Sequence, residues 1–402
     1  MIAMTTTIAK NVSRKYIILL TIFRIFRSVS AGMINIAFPY LVLTKLNLGS
    51  LMLGLMYTSA TVATAIFGLA FGFMTDIYGR KETLFIVSLM LPLSSLLIFL
   101  YSNNLIILFI AAMIGGYSAT GSLTGGGIGG AAQPIQNALI VDLTSPEQRT
   151  YYFSLLTFIA GITSAFGSLI AKIFTIDEIF LIATLFSIIS VIVILPIKTN
   201  NVKGKISKLE SKIIIGKFTL TGILNGFTQG LITPFLIPFF IIVYNIPMSE
   251  MSTYQFISGI IGSFALLLAP RLERYFGFVK SIAITRGLGA ILTVIMPLIR
   301  ILPVSLTIFF IMPALRIAAL PVQQSAMTEM VSQDEVGRAL GINQVARLAA
   351  SSSGTTLTGY MFDLSEIELP FYIYGVIMGI NIYLYFKFFG KGNRVRYGPG
   401  GI

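Results

Sequence analysis

Five arginines stand where a lone charge is expensive. Arg24, Arg27, Arg286, Arg316 and Arg347 lie inside long apolar stretches, and none of the 15 acidic residues falls mid-stretch with them. Ionisable groups at membrane depth are costly and by default point to function. A guanidinium presents a planar fork of donors suited to carboxylate or phosphate, so cations of this kind favour an anionic or zwitterionic ligand. Their neighbours extend a polar path. Arg24, Arg27, Ala31 and Asn35 share one helical face by three- and four-residue spacing. Thr221, Asn225, Gln229 and Thr233 form a second stripe, and Arg316 and Gln323 share a third face. The chemistry expected is recognition of a small solute by Arg27, Asn35, Asn225, Gln229, Arg316 and Gln323. The competing reading is architectural. Arg24 and Arg286 lie close enough to one membrane face to snorkel, Arg347 could bond carbonyls or a cytoplasmic acid, and Arg27 and Arg316 could brace helices by bonding carbonyls, Gln or Asn.

Covalent and redox chemistry has little to work with. The chain contains no His, Cys or Trp, which removes thiolate chemistry, the usual zinc ligands and the commonest general base. The expectation is therefore a protein that is not an enzyme and needs no cofactor or metal. A proton-coupled carrier usually places a titratable group in its cavity. With no His and no mid-span carboxylate, facilitated diffusion or anion exchange fits better.

The elements that must hold these residues are transmembrane helices. Of 402 residues, 55% are hydrophobic and only 11% charged, with mean hydropathy +0.89, against about 25% charged in soluble domains. A helix crossing a bilayer needs about 20 apolar residues, and twelve such stretches can be read. The first six fall at 16–45, 51–73, 84–101, 105–142, 151–174 and 179–197. The second six fall at 218–243, 252–269, 281–301, 304–330, 339–362 and 370–388. The polar, Lys-rich connector 198–217 divides the chain into a six-helix bundle over 1–197 and another over 218–402. Twenty of the 28 Lys and Arg lie in segments on the side of the N-terminus, and only Lys45, Lys172 and Arg300 on the other. By the positive-inside rule both termini are cytoplasmic. That bias accounts for the net charge of +13 without a nucleic-acid partner. The expected surroundings are the lipid bilayer of the cytoplasmic membrane, with the chain working as a monomer.

Between the second and third stretches runs Gly72-Phe73-Met74-Thr75-Asp76-Ile77-Tyr78-Gly79-Arg80-Lys81-Glu82-Thr83-Leu84. It resembles the signature loop of the major facilitator superfamily, G-x-L-a-D-R-x-G-R-K-x-x-L, with Ile77 in place of the first Arg. The second half repeats the loop in degenerate form as Pro270-Arg271-Leu272-Glu273-Arg274-Tyr275-Phe276-Gly277. This sets Gly277 against Gly79 at an offset of 198, and the same offset sets Gly230 against Gly32. Further along, Gln136 and Asp142 match Gln323 and Glu329 at an offset of 187. Thr144-x-x-Glu147 and Ser332-x-x-Glu335 read as capping boxes for the helices that follow.

The resemblance implies an all-α membrane protein of two pseudo-symmetric six-helix bundles. It implies transport of a small solute by alternating access, with the first, fourth, seventh and tenth helices lining the cavity. It also implies a cytoplasmic gate formed by Gly72, Asp76, Gly79, Arg80 and Asp142. Arg80 would pair with Asp142, and Asp76 would face the start of the eleventh helix. The favoured cargo is a small organic anion; the alternative is efflux of amphiphilic drugs. Drug/proton antiporters of the family carry glycines and a proline in the fifth helix that Ala160 to Gly167 lacks. Finally, the six glycines from Gly121 to Gly130 cost a helix about 1 kcal/mol each relative to Ala. That predicts an interruption of the fourth stretch there.

Overall fold

The computed structural model describes residues 2–117, 132–144, 146–197, 210–332 and 335–390, and these are helical throughout apart from turns. The helices are α1 (Ile2–Tyr40), α2 (Gly49–Tyr78), α3 (Arg80–Tyr101), α4 (Leu105–Gly115), α5 (Ala132–Leu143), α6 (Pro146–Ile170) and α7 (Ile176–Ile194). They continue as α8 (Lys212–Ile232), α9 (Leu236–Tyr244), α10 (Met248–Leu298), α11 (Leu302–Met330), α12 (Val336–Asp363) and α13 (Leu369–Phe389). Among the described residues, ten segments are long and apolar enough to cross a membrane. Two of them lie in α10, which turns at Gly277 with φ 71° and ψ 165°. The polar α12 is not among the ten. It packs between α2 and α8, which lets it carry Asn343, Arg347 and a run of Ser and Thr. The expected interruption at 121–130 lies outside the described residues. Within them, α4 already stops at Gly115, and Gly116 turns left-handed with φ 60°.

The two offsets read from the sequence recur in the backbone. At a separation of 198 residues, Asn47 and Asn245 both take φ 50°, and Gly79 (φ 100°) answers Gly277. The helix contacts repeat as well. A methyl group on Gly32 would strike the carbonyl of Ser164, and one on Gly230 the carbonyl of Ser351. Ser168 Oγ donates to the Gly32 carbonyl at 3.2 Å, as Thr355 Oγ1 does to Gly230 at 3.2 Å. Ser164 and Ser351, like Ser168 and Thr355, are 187 apart. So α6 lies on α1 as α12 lies on α8, with backbones close enough that only glycine fits. Small residues at such crossings are what helices use where lipid supplies no hydrophobic drive.

One joint departs from the sequence reading. The stretch 218–243 does not run as a single helix. Pro234 has no N–H, and α8 gives way to a 3₁₀ turn at Thr233–Phe235 before α9. The hydroxyls of Thr355 and Thr358 supply donors to the carbonyls of Gly230 and Leu231 just before the turn, the latter at 2.8 Å. A break at membrane depth is tolerated where neighbours satisfy its backbone in this way.

The apolar core is single at one end and double at the other. At the apical end, where α1 meets α2, one cluster joins Phe38, Tyr57 and Phe180 to Phe235, Phe309 and Phe371. At the basal end, where α2 meets α3, two clusters stand apart. One holds Leu20, Phe71 and Leu139, the other Phe218, Phe278 and Tyr385. Hydrogen bonds between α1–α7 and α8–α13 also lie apically: Tyr40 donates to the Ile246 carbonyl at 2.6 Å, and Thr58 to the Ser352 carbonyl at 2.9 Å. Among the described residues, the two sets of helices are joined apically, and their basal apolar clusters are separate.

Candidate functional site

The arginines divide into struts and one reaching side chain. Arg24 is buried and donates to Gln136 Oε1 at 3.2 Å, while Gln136 Nε2 donates to the Leu20 carbonyl at 3.0 Å. Arg286 is buried more tightly. It donates to Asn381 Oδ1 at 2.7 Å and Gln323 Oε1 at 2.5 Å, and stacks on Tyr385 with 5.0 Å to the ring centroid. Asn381 in turn donates to the Thr221 carbonyl. Neither arginine snorkels, because each finds a glutamine carbonyl inside, and those two glutamines are the repeat-related pair Gln136 and Gln323. Gln323, which shares a helical face with Arg316, serves Arg286.

Arg316 reaches across from α11 to the broken helix. It donates to Thr233 Oγ1 and lies 3.9 Å from the Met312 sulfur. Because Pro234 ends α8 there, the Thr233 side chain is available at the turn. Arg347 donates to Gln344 at 2.6 Å and lies within electrostatic range of Arg286 and Arg316. Arg27 is buried with its guanidinium 5.8 Å from the Phe23 ring centroid. Ion pairs among the described residues occur at the helix ends, namely Lys45–Asp177, Arg80–Asp142 and Arg300–Glu368. None of them involves Arg286, Arg316 or Arg347.

Between the helix sets, under the apical closure, lies a small cavity with room for about one water-sized group. Asn35 and Tyr57 line it from α1 and α2, and Thr233 and Gln255 from the other set, with Phe309 and Pro313 as apolar wall. Of the expected binding residues, the structure brings Asn35 here and Arg316 beside it. Asn225 and Gln229 are buried on α8, and Asn225 Nδ2 has no partner among the described residues. Tyr57 and Gln255 escaped the sequence reading because each is uncharged and stands among several Ser and Thr that give it no distinguishing signal. The signal that could have found them is the offset itself: 57 and 255 differ by 198, as do 35 and 233.

At the basal end, Gly79 ends α2 and starts α3 at φ 100°, a conformation that favours glycine. This aims Arg80 at α5, where it donates to Asp142 Oδ1 at 2.5 Å and to the Ala138 carbonyl at 2.9 Å. The pairing of Arg80 with Asp142 is thus present. The side chain of Asp76 and its expected target at the start of α12 lie outside the described residues, and Gly72 sits within α2. The capping box Thr144-x-x-Glu147 falls partly outside the described residues; Thr144 Oγ1 donates back to the Ile140 carbonyl. The second capping box needs correction. α12 starts from Glu335 without a side-chain cap, and the Glu335 carboxylate instead accepts from the amides of Glu210 and Ser211 ahead of α8.

The sequence profile of the Major Facilitator Superfamily matches residues 20–354. The chain belongs to this superfamily. No curated protein matches it by sequence. Among solved structures it is similar to a D-xylose-proton symporter, with TM-score 0.76 and 14% identity over 93% of this chain and 97% of that one. It is also similar to the human organic anion transporter MFSD10 (TETRAN), with TM-score 0.65 and 12% identity over 93% and 99% of the two chains. A third is a bacterial homolog of the human lysosomal transporter Spinster in an inward-facing, occupied conformation, with TM-score 0.73 and 15% identity over 96% and 98%. At such identities the likeness shows fold alone. The chain is a multi-pass membrane protein with the all-α superfamily fold, and family and fold are those of transporters.

Proposed function

We propose that this superfamily member carries a small organic anion across the cytoplasmic membrane by alternating access. The observation that supports the reading best is Arg316. It is a cation inside the bundle, beside the apical cavity, held by a threonine hydroxyl and a thioether with no carboxylate among its described contacts. Leaving a charge so poorly neutralised away from bulk water is costly, and an anionic solute would offset that cost. The halves 1–197 and 218–402 act as the moving bodies, joined by the cytoplasmic connector 198–217. With both termini cytoplasmic, the parted basal end faces inward. Gly72, Asp76, Gly79, Arg80 and Asp142 form the gate that would hold this end when the molecule opens outward. No cofactor is required, and the carrier works as a monomer.

The test is counterflow in proteoliposomes, with monocarboxylates, dicarboxylates, phosphate esters and amphiphilic cations as candidate cargo. Saturable uptake of an anion that disappears in Arg316→Gln is the expected result. Saturable uptake of amphiphilic cations without any anion transport would replace the reading with drug efflux. Orientation is checked by single cysteines at Ser102 and Tyr275. The first should label from outside and the second only from within.

A further inference from the structure

The cavity under the apical closure is built from matched positions of the two repeats. Asn35 and Thr233 are 198 residues apart, and so are Tyr57 and Gln255, so the void is surrounded by two equivalent pairs and sits between the halves. What the pairs carry differs. Thr233 already accepts from Arg316. No side-chain hydrogen bond of Asn35, Tyr57 or Gln255 occurs among the described residues; Tyr57 is 4% exposed and Gln255 9%, while Asn35 is half-buried. Buried polar groups are ordinarily satisfied, and one left open calls for a ligand or water. Two such groups, Tyr57 and Gln255, line a single void with the half-buried Asn35.

We infer that this cavity is a subsite for the neutral polar end of a singly charged solute, whose anionic group is held by Arg316. The inference rests on the organic-anion reading and narrows it. One cation borders the cavity, through Thr233, so one charge is matched. The opposite wall offers amide and phenol groups that can both donate and accept. They suit a hydroxyl or amide substituent and reject a second carboxylate, which would lie beside Tyr57 and Gln255 without a counter-charge. The ligand class is therefore a short hydroxy- or amide-bearing monocarboxylate. Pro234 contributes by breaking α8, which places the Thr233 hydroxyl between the Arg316 fork and the cavity.

The experiment is equilibrium binding to the purified full-length protein, with 2-hydroxypropanoate, propanoate and malonate as probes. The hydroxylated probe should bind about 3- to 10-fold more tightly than propanoate, as expected for one or two neutral hydrogen bonds. Tyr57→Phe and Gln255→Met should each shrink that preference, with thermal melting confirming that both variants are folded. Arg316→Gln should weaken both monocarboxylates together. Equal binding of propanoate and 2-hydroxypropanoate in the parent protein overturns the subsite and leaves the anion reading standing. Tightest binding of malonate overturns the single-charge assignment. Binding of none of the three, by a protein that counterflow shows to move amphiphilic cations, overturns the anion reading and the subsite with it. A preference that survives both variants points to a water-filled void and ends the proposal.

Discussion

The turn at Gly79 and the turn at Gly277 share a backbone and part company in their side chains. Both glycines take positive φ between long helices. The residue after the first is Arg80, tied to Asp142 in a partly exposed ion pair. The residue after the second is Phe278, buried against the rings of Tyr385 and Phe389 at 6.4 and 5.5 Å. One joint can open by exchanging its ion pair for water; the other must expose an aromatic cluster. The same contrast runs through the bundle. Position 24 is an arginine strut in the first repeat, and its mate, Gly222, is a glycine pressed against Asn343. Position 347 is an arginine, and its mate, Ala160, is a buried methyl. The crossings that fix the fold are repeated, and the charges that give the molecule its chemistry are not.

The largest expected effect comes from breaking a repeated crossing. Gly32→Leu and Gly230→Leu would drive side chains into the backbones of Ser164 and Ser351, and both should abolish recovery of folded protein from detergent. Gly226→Ala, facing the Arg347 carbonyl, is milder, and overpacking of this kind costs about 1–3 kcal/mol. A methyl group on Gly68 would meet nothing within 4 Å, so Gly68→Ala should raise the melting temperature, because alanine favours the helix by about 1 kcal/mol. Tolerance of leucine at Gly32 but not at Gly230 would show that the two crossings are not equivalent.

Next in size is the division between strut and reaching arginine. Arg286→Met strands Asn381 and Gln323 inside the second bundle, and an unsatisfied buried group costs about 1–3 kcal/mol. Melting should fall while anion affinity stays within about threefold. Arg316→Gln should do the opposite. Loss of a charge-assisted hydrogen bond of about 1.5–3 kcal/mol corresponds to roughly 10- to 150-fold in affinity, with melting little changed. If both substitutions moved melting and affinity together, the division would fail.

Much of this architecture is legible in the sequence because it rests on local rules. Met74 to Thr83 could be read as a loop between two apolar stretches, and the family resemblance added Arg80 as the partner of Asp142. The offset of 198 anticipated the shared φ of Asn47 and Asn245. What could not be read depends on where a single residue lands in three dimensions. Pro234 in an apolar run does not announce whether a helix bends or breaks, so 218–243 looked continuous. Gln323 shares a helical face with Arg316, yet its partner comes from α10, a choice that sequence spacing cannot rank. Glu335 looked like a local cap because Ser332 precedes it, and the amides it serves are more than a hundred residues earlier. The polarity of α12 could be seen, but not its burial between α2 and α8. One local signal went unread: Thr175-x-x-Glu178, which forms the capping box of α7.

A smaller effect separates the two basal turns. Arg80→Gln removes a partly exposed pair worth about 0–1 kcal/mol, so melting should barely move. If the pair is a gate, transport should slow severalfold with solute affinity nearly unchanged. Phe278→Leu trims a buried ring, and a large-to-small core change costs stability through lost burial and the cavity left behind. It should lower melting and leave the rate alone. A rate loss in Phe278→Leu as large as in Arg80→Gln would erase the contrast between the turns.

The smallest expected effect lies apically, where the repeats start their last helices differently. α7 begins with the neutral Thr175 as its cap, whereas α13 begins from Glu368, whose carboxylate accepts from Tyr372 at 2.9 Å and pairs with Arg300 at 2.5 Å. The Tyr372 hydroxyl first, and Arg300 after it, hold the Glu368 carboxyl below its ordinary value of 4.5. A depressed folded-state pKa means that the contact stabilises fully above 4.5 and is lost as pH falls through the lowered value. Glu368 is open to solvent, which screens most of this, so the shift in melting should be slight. Glu368→Gln should therefore melt a little below the parent at pH 7. The gap should narrow as acid protonates the carboxyl and then close. Thr175→Ala should also lower melting, since loss of a threonine cap typically costs about 1 kcal/mol. Part of its gap should narrow as acid protonates Glu178, whose carboxylate accepts from the Thr175 hydroxyl at 2.9 Å. The part due to the hydroxyl accepting from the Glu178 amide should persist, because that acceptor does not ionise. Parallel pH profiles for Glu368→Gln and the parent would mean that the carboxylate at the start of α13 contributes no more than a neutral amide there.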